Sequence, residues 1–348
     1  MALSCPAAPG LGGLGRHLEE MLDAFSRRGT PVHLTSERDV SPGVLASAAG
    51  RVSPSGRMLA ASRRFDRVAA RRLGAADAVV AFNGTALAQF EAAPTGASLE
   101  LMSANSHYRN VIARHELAHR QYPVEAPWAK RLLARNLAEY RRASKILVTS
   151  DYMRDSFLEH GTPEERLERF PLTPNPRFAP GATPGTVGAR AGRFEIVYVG
   201  SLLVHKGVPL LLDAFSRLQE PELRLRLIGG WTTRAMRRQI EAAVARDPRI
   251  SAGPGDPLPH LRGAALCVHP AYEEGFGYAP AEALAAGVPV LVSEDTGMKE
   301  LIEPGRTGLV VGTGDAVALA EAIAAVFRGE ELAHAAPEQA GSGHDRLD

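Results

Sequence analysis

The sequence predicts an α/β protein with two domains, each built around a parallel sheet. Short apolar or β-branched runs alternate with longer segments of helical periodicity, which is typical of βαβ units. This alternation stops once, in a Pro- and Gly-rich passage, and then restarts. The length of 348 residues also suits two domains of ordinary size better than a single core.

The first domain is predicted over residues 1–178. After a short strand at "MALSC", further strands are expected near residues 31–36, 76–83, 98–105 and 145–150, with helical patterns between them. The passage "PLTPNPRFAPGATPGTVGARAG" has no apolar period and reads as a linker, which we place at residues 179–192.

The second domain is predicted over residues 193–330, and residues 331–348 are expected to be a disordered tail because they are small and polar. It begins with the strand "FEIVYVGSL" and a helix from about residue 207. Open α/β sheets bind ligands at the carboxyl ends of their strands, so we expect the functional side chains on the loops that follow strands.

The composition indicates a soluble globular protein, with 45% hydrophobic and 23% charged residues. The net charge of +1 is unevenly spread, because residues 1–178 hold 24 Lys and Arg against 18 Asp and Glu. Cys5 and Cys267 imply no disulfide framework, and the sequence has neither an 18-residue apolar run nor an export signal. These features predict a cytoplasmic protein.

The stretch "EEGFGYAPAEALAAG" places Glu274 on a loop and Glu282 about two turns later, inside a helix. Carboxylates accept hydrogen bonds from hydroxyl groups, so the two acids suggest a nucleotide sugar held at both ends. Alternatively, they only complement the helix dipole, worth about 0.3–1 kcal/mol each. Three residues at the entrance to this helix offer amides to a phosphate or sugar: Gly275, Phe276 and Gly277.

A second loop lies in "VGSLLVHKGVPLLLDAF". The strand ends at Gly200, Ser201 follows, and Lys206 and Gly207 precede a helix. A lysine ordinarily favours the other end of a helix, so a charged partner is expected there, and a diphosphate would supply it. Loss of such a charge-assisted bond, worth about 1.5–3 kcal/mol, would slow diphosphate departure by about tenfold to a hundredfold or more.

These motifs, together with "HPAYEEGFGYAPAEALAAGVPVLVSEDTGMKELI" and "GRTGLVVGTGDAVALAEAI", resemble the retaining family 4 glycosyltransferases. The resemblance is specific over residues 194–328 and looser before them. It implies the GT-B fold, in which two Rossmann-like α/β domains have parallel sheets facing across an inter-domain cleft. It also implies a hexosyltransferase-type activity in carbohydrate biosynthesis.

The resemblance assigns a role to each motif. Glu274 would hold the donor sugar, Glu282 the ribose and Lys206 the diphosphate, while the amides of Phe276 and Gly277 lie against the sugar or the phosphates. No metal and no cofactor besides the nucleotide sugar would be needed. Many relatives carry a basic residue where Ser201 stands, so donor binding is expected to depend more heavily on Lys206.

The first domain offers weaker candidates. Gly12 and Gly13 precede an amphipathic helix, like the family's glycine loop beside the diphosphate and acceptor, although a simple turn would also explain them. His107 follows a strand at the position where similar enzymes carry a histidine near the reacting sugar. A polar surface residue is the alternative.

A zinc peptidase is the main rival. "HELAH" places His115 and His119 one turn apart beside Glu116, as in zinc proteases, and Glu139 could be a third ligand. Two exposed histidines on a solvated helix are the alternative, favoured by the charged flanks of this stretch. Metal analysis of the wild type and of a His115→Ala variant would separate the two.

Other rivals keep the fold. A nucleotide-sugar epimerase or a noncatalytic sugar-nucleotide-binding relative would have the same twin domains. The basic stretch at residues 56–74 could suggest nucleic acid, but aromatics make up only 6% of the sequence, which argues against it. This stretch and a similar one at residues 127–145 predict weak peripheral attachment to anionic lipid. The acceptor is expected to be a carbohydrate, a lipid-linked group or a small molecule, and the motifs leave the base, the sugar and the retention mechanism open.

Overall fold

The chain divides into two compact units. The computed structural model describes residues 1–10, 12–40, 54–125, 129–179, 193–231 and 233–330, so most of the predicted linker and all of the predicted tail lie outside the described residues. Unit 1 comprises Met1–Glu116, Ala126–Thr173 and Glu273–Phe276. Unit 2 comprises Leu117–Glu125, Pro174–Tyr272 and Gly277–Asp348.

Unit 1 is built on a six-stranded parallel sheet in the order β2-β1-β3-β4-β5-β6. The strands are β1 Ala2–Ser4, β2 His33–Thr35, β3 Ala78–Phe82, β4 Ser98–Met102, β5 Lys145–Val148 and β6 Leu167–Arg169. The helices are α1 Gly12–Arg27, α2 Pro54–Ala70, α3 Leu87–Ala92, α4 Tyr108–Gln121, α5 Leu133–Arg142 and α6 Asp151–Glu159. The last turn of α4, from Leu117 onward, belongs to unit 2. All five predicted strands are confirmed. The sixth, β6, was missed because its three residues, "LER", carry no apolar run.

The core of unit 1 lies on both faces of this sheet, as expected for parallel strands. In β3 and β4 successive residues point to opposite sides, and Val79, Val80, Leu101 and Met102 are fully buried. One face packs against α1 through Val80, Met102, Leu18 and Met21. The other face packs against α4, α5 and α6 through Val79, Leu101, Val111, Tyr140 and Phe157. Burial of each such side chain stabilises the unit by about 1.5–3 kcal/mol.

A buried ionic network fixes the start of α3. Glu139 accepts hydrogen bonds from the amides of Gly84 (2.5 Å), Ala86 (2.9 Å) and Leu87 (3.2 Å). Asp66 accepts from the two amides that follow, Ala88 N (2.7 Å) and Gln89 N (3.1 Å). Arg135 forms ion pairs with both carboxylates. Burial raises the pKa of Glu139 to about 7, against the lowering effect of the amides and of Arg135.

Unit 2 has its own six-stranded parallel sheet, in the order β12-β11-β10-β7-β8-β9. The strands are β7 Phe194–Val199, β8 Leu223–Ile228, β9 Ile250–Gly253, β10 Leu266–His269, β11 Val290–Ser293 and β12 Gly308–Val311. The helices are α7 Val208–Ser216, α8 Arg234–Arg246, α9 Leu258–Leu261, α10 Tyr278–Ala285 and α11 Ala316–Arg328. Short 3₁₀ helices occupy Pro176–Phe178 and Gly297–Leu301 in this unit, and Glu37–Asp39, Ala129–Leu132 and Glu164–Arg166 in unit 1.

Two strands of unit 2 decide where its loops meet. β7 and β10 are hydrogen-bonded neighbours, so the loops that follow them open at the same edge of the sheet. Cys267 in β10 is buried and unbridged, as is Cys5 in unit 1, in agreement with the sequence expectation. Within the described residues, no helix combines the length and the apolarity that a membrane span would require.

Candidate active site

The loop after β7 is shaped by a buried tyrosine. Tyr198 donates a hydrogen bond from its hydroxyl to the carbonyl of Ser201 (3.0 Å), and its ring stacks on His269 (centroids 5.5 Å apart). Gly200 has a φ of 145°, and a Cβ there would lie 3.3 Å from the Tyr198 hydroxyl. Tyr198 therefore holds Gly200 and Ser201 in place, and Ser201 is exposed.

Lys206 and Gly207 lie at the start of α7. Gly207 is the N-cap with a φ of 74°, and a Cβ there would lie only 1.9 Å from the carbonyl oxygen of Pro270. The amide of Tyr272 donates to the carbonyl of His205 (2.9 Å), which joins this loop to the segment after β10. Lys206 is half-buried beside the helix N-terminus. A positive side chain and a helix dipole at one point form a site suited to an anion.

Sequence analysis missed the carboxylate that anchors this loop. Glu125 accepts a hydrogen bond from the amide of Val204 (3.2 Å), two residues before Lys206. Its second oxygen accepts from the hydroxyl of Thr233 (2.8 Å), the N-cap of α8. Glu125 lies 79 residues before Val204 in the sequence, so no local pattern could have linked the two.

The loop after β10 begins in unit 2, and its residues Glu273–Phe276 are grouped with unit 1. Glu273 is 1% exposed and accepts hydrogen bonds from the amide of Ser106 (2.9 Å) and the side chain of Asn105 (3.2 Å). Glu274, the predicted sugar-binding acid, is half-buried. Sequence analysis assigned nothing to Glu273, because its partners lie 167 and 168 residues away.

Gly275 and Phe276 follow Glu274 in the same loop. A Cβ on Gly275 would lie 2.6 Å from the carbonyl oxygen of Ala104, so the position requires a residue without a side chain. The hydroxyl of Ser150 donates to the carbonyl of Gly275 (2.7 Å). Phe276 is buried, at 8% exposure. The Gly275 backbone is therefore fixed against the turn after β4 and the N-cap of α6 in unit 1.

The predicted ribose-binding acid lies in α10 of unit 2. Gly277 caps this helix with a φ of 96°, and Glu282 lies on it with 4% exposure. The helix begins and ends close to the predicted positions. The structure thus gathers the following predicted residues at the edge where the β7 and β10 loops of unit 2 open: Gly200, Ser201, Lys206, Gly207, Gly277 and Glu282.

His107 lies just past β4 and is buried at 4% exposure. Its ring packs against Tyr140 (5.0 Å between centroids), Phe157 (5.2 Å) and His160 (4.3 Å). Burial, with smaller contributions from His160 and Arg109, lowers the pKa of His107 to about 3. The imidazole is therefore neutral near pH 7, and its role toward an acceptor stays a prediction.

Gly12 and Gly13 are exposed and open α1, which follows β1 in unit 1. Gly12 has a φ of 64°, a conformation that favours glycine. Gly12 follows the carboxyl end of β1, and His107 follows the carboxyl end of β4. Both residues therefore lie at the same edge of the sheet, with β3 between their strands. Their acceptor-side roles stay predictions.

The zinc-peptidase interpretation finds no support in the described residues, which contain no group of three His, Cys, Asp or Glu placed to hold a metal ion. Glu139, the suggested third ligand, is occupied by amides and Arg135. The alternative of two exposed histidines was also wrong. His115 is 3% exposed and His119 is 6% exposed, so both side chains are buried.

Comparisons with known proteins decide the family. The model described as Glycosyl transferases group 1 matches residues 185–342. The model described as Glycosyltransferase Family 4 matches residues 11–172, so the two matches together cover most of the sequence. The chain belongs to glycosyltransferase family 4.

Curated relatives of this family 4 chain include a D-inositol 3-phosphate glycosyltransferase of Kribbella flavida, 34% identical over 43% of this chain and 39% of the relative. The O-antigen chain mannosyltransferase B of Escherichia coli is 27% identical over 54% of this chain and 53% of the relative. The chain therefore spans only about two fifths to one half of the length of these relatives.

Solved structures establish the fold of this family 4 chain. Anabaena HepE in complex with UDP-glucose superposes with a TM-score of 0.62 at 17% identity, covering 96% of this chain and 92% of HepE. With the two six-stranded parallel sheets, this likeness confirms the predicted two-domain α/β GT-B fold.

Proposed function

We propose that this family 4 chain transfers a sugar from a nucleoside diphosphate sugar to an acceptor hydroxyl, with retention at the anomeric carbon and without a metal ion. The observation that carries the proposal is the half-buried Lys206 beside the N-terminus of α7, within a chain that matches glycosyltransferase family models. The presence of UDP-glucose in the HepE complex supports a nucleotide sugar as donor.

Lys206 would act on the leaving group. As the bond between the anomeric carbon and the diphosphate breaks, negative charge grows on the diphosphate oxygens. The Lys206 ammonium and the first amides of α7 stabilise that charge more strongly in the transition state than in the ground state. A charge-assisted hydrogen bond of about 1.5–3 kcal/mol corresponds to about tenfold to a hundredfold in rate.

The two acids would hold the two hydroxyl-bearing ends of the donor. Glu274 would accept hydrogen bonds from the sugar, and Glu282, eight residues later on α10, from the ribose. The amides of Gly275, Phe276 and Gly277 would lie against the sugar or the phosphates. Fixing the donor at three points places the anomeric carbon for attack.

His107, Gly12 and Gly13 would lie on the acceptor side. Because the low pKa keeps His107 uncharged near pH 7, its imidazole would contribute shape and hydrogen bonding rather than a positive charge. The glycine backbone at the start of α1 offers amides without side chains in the way. Unit 1 would thus select the acceptor.

A thermal-shift panel of UDP, GDP and ADP sugars, with and without EDTA, tests the proposal. We expect one donor to stabilise the protein regardless of EDTA, and the stabilisation to fall in Lys206→Ala and Glu274→Ala. Lys145→Ala is the matched control, since that lysine is exposed and paired with Glu168 (2.7 Å). Indifference to every nucleotide would contradict the proposal.

Product analysis then distinguishes transfer from its rivals. Nucleotide release that needs an added acceptor, with the product anomer matching the donor, is expected for a retaining transferase. Conversion of the donor alone would favour an epimerase, and binding without any conversion would favour a noncatalytic relative. An inverted product would contradict retention while leaving transfer intact.

We also propose that the enzyme works in the cytoplasm, in weak contact with anionic lipid. Arg63, Arg67 and Arg71 are exposed and spaced four residues apart, so they line one side of the basic segment that begins with α2. Liposome flotation at low salt should recover the wild type, and a triple Arg→Gln variant should remain unbound. Equal recovery of both would remove this proposal.

A further inference from the structure

The carboxylate of Glu273 joins the loop that carries Glu274 to the turn that follows β4. One oxygen accepts from the amide of Ser106 (2.9 Å) and the other from the side-chain amide of Asn105 (3.2 Å). Glu273 is only 1% exposed and is therefore shielded from water. Hydrogen bonds to a charged group are stronger in such a buried environment than in water.

The turn that receives Glu273 is itself held on several sides. Ser103 donates from its hydroxyl to the carbonyl of Asn105 (2.7 Å), and the side chain of Asn110 donates to the hydroxyl of Ser106 (3.0 Å). The amide of His107 donates to the hydroxyl of Ser156 (2.8 Å). A carboxylate bound to this turn is therefore bound to a rigid support.

The charge of Glu273 also lies at a favourable place. Ser106 is two residues before the first residue of α4, a 14-residue helix whose N-terminus carries a partial positive charge. A neutral side chain at position 273 would lose both this attraction and the charge-assisted bonds. The position therefore favours a carboxylate over an uncharged residue of the same shape.

Gly275, the residue that follows Glu274, is fixed as well. Gly275 presents its carbonyl to the hydroxyl of Ser150 (2.7 Å), and its Cα lies against the carbonyl of Ala104 so closely that a Cβ would come within 2.6 Å. Glu274 thus stands between two anchored neighbours. Its backbone has little freedom unless one anchor is released.

We infer that Glu273 is a positioning residue that sets the placement of Glu274, a role that rests on the proposed sugar-binding function of Glu274. Glu273 itself touches no donor atom in this role. Because a shift of about 1 Å in a reacting group can cost about a hundredfold in rate, we expect loss of the Glu273 anchor to lower kcat by about tenfold to a hundredfold. Affinity for the free nucleoside diphosphate should stay within about twofold, since Lys206 binds it.

A donor–acceptor reversal tests the inference in the full chain. Glu273→Gln removes the charge and turns one oxygen into an NH₂, which meets the NH₂ of Asn105 as donor against donor until one of the two side-chain amides turns over. Adding Asn105→Asp restores the pairing and returns the charge. Glu20→Gln is the control, because Glu20 likewise accepts one backbone amide (Thr173 N, 2.7 Å) and one side-chain donor (Thr173 Oγ1, 3.1 Å) in unit 1.

Two readouts are measured on each variant. The first is nucleotide release from UDP-glucose, GDP-mannose and ADP-glucose, together with the affinity for UDP, GDP and ADP. The second is hydrogen exchange of peptides that cover residues 103–107 and 271–278. We expect Glu273→Gln to lower kcat and to speed exchange in both peptides, the double variant to recover both, and Glu20→Gln to change neither.

The outcomes separate the two claims. If the wild type binds none of the nucleotides and releases none, the proposed function fails. The hydrogen-exchange data then still test whether Glu273 holds the two peptides in place. If Glu273→Gln leaves exchange or kcat at the wild-type level, or if adding Asn105→Asp gives no recovery, the inference is overturned. A fall in nucleotide affinity equal to the fall in kcat would also overturn it, because it would place Glu273 in general donor binding.

Discussion

The two units hold their candidate loops by different physical means. In unit 2 the loop after β7 is fixed mainly by backbone packed on backbone, with the half-buried Glu125 as an additional anchor. Gly207 meets the carbonyl of Pro270, and a Cβ on Gly229 would lie 1.8 Å from the carbonyl of Gly200. In unit 1 the corresponding segments are fixed mainly by buried carboxylates. Glu273 holds the turn after β4, and Asp66 with Glu139 holds the start of α3.

The difference determines how each unit can fail. A contact between backbone atoms tolerates no added side chain but is indifferent to charge. A buried carboxylate tolerates no loss of its partners, since an uncompensated charge in the interior is costly. Unit 2 should therefore be sensitive to size at its glycines, and unit 1 to charge and to pH.

The largest effect is expected from Arg135→Ala in unit 1. It leaves Asp66 and Glu139 buried without their cation and should reduce the free energy of unfolding by about 3–5 kcal/mol. Arg142→Ala is the control. Its pair with Glu91 is exposed (42% and 52%), so the loss should stay below about 1 kcal/mol. Urea unfolding measures both, and equal losses would contradict the contrast.

In unit 2, Gly207→Ala should destabilise more than Gly287→Ala. The two glycines have similar φ values, 74° and 79°, so the backbone strain is matched. Only Gly207 has an obstructing atom; no described heavy atom lies within 4 Å of a Cβ on Gly287. Overpacking should add about 1–3 kcal/mol to the Gly207 variant. Equal melting temperatures would show that the close approach to Pro270 can relax.

The pH dependence should be confined mainly to unit 1. Burial lowers the pKa of His17 and of His107 to about 3, so between about pH 3 and 6.5 the unfolded chain binds more protons than the folded chain. Each histidine then destabilises unit 1 by about 1.4 kcal/mol per pH unit on acidification. Glu139 acts in the opposite direction between about pH 4.5 and 7, because its folded pKa is raised.

The His107→Gln variant isolates one of these histidines. Its slope of stability against pH, between about pH 5 and 6, should be smaller than the wild-type slope by about 1.4 kcal/mol per unit. Hydrogen-exchange labelling across urea titrations reads the peptides of unit 1 separately. An unchanged slope would mean that His107 is not the group that titrates.

The smallest effects are expected from two helix caps with matching chemistry. Ser150 caps α6 and also donates to Gly275, while Thr233 caps α8 and also donates to Glu125. Replacing either by Ala should cost about 1 kcal/mol. Ser150→Ala should speed hydrogen exchange in residues 271–278, and Thr233→Ala in residues 200–207. The reverse pattern would contradict the assignment of each cap to its loop.

Local patterns in the sequence located much of the candidate site. Lys206 and Gly207 were placed correctly because a strand, a glycine and a helix follow one another within a few residues. Glu274 and Glu282 were placed on loop and helix for the same reason. The parallel sheets followed from the alternation of strands and helices, which is also a short-range signal.

The anchoring carboxylates could not be found in this way. Glu273 and Glu125 bind partners that are 79 to 168 residues distant, and neither carries a motif of its own. The burial of His115 and His119 was missed because the charged flanks of "HELAH" suggested a solvated helix, whereas burial depends on what packs against each face. Tertiary partners, rather than local propensity, decide these positions.

The exchange of segments between the units has a practical consequence for dissecting the chain. Leu117–Glu125 are encoded in the first half but complete unit 2, and Glu273–Phe276 are encoded in the second half but complete unit 1. Expressing the halves separately, cut at the linker, would leave each fragment missing a piece that the other retains. Chimaeras between relatives should accordingly carry these two short stretches with the unit they complete.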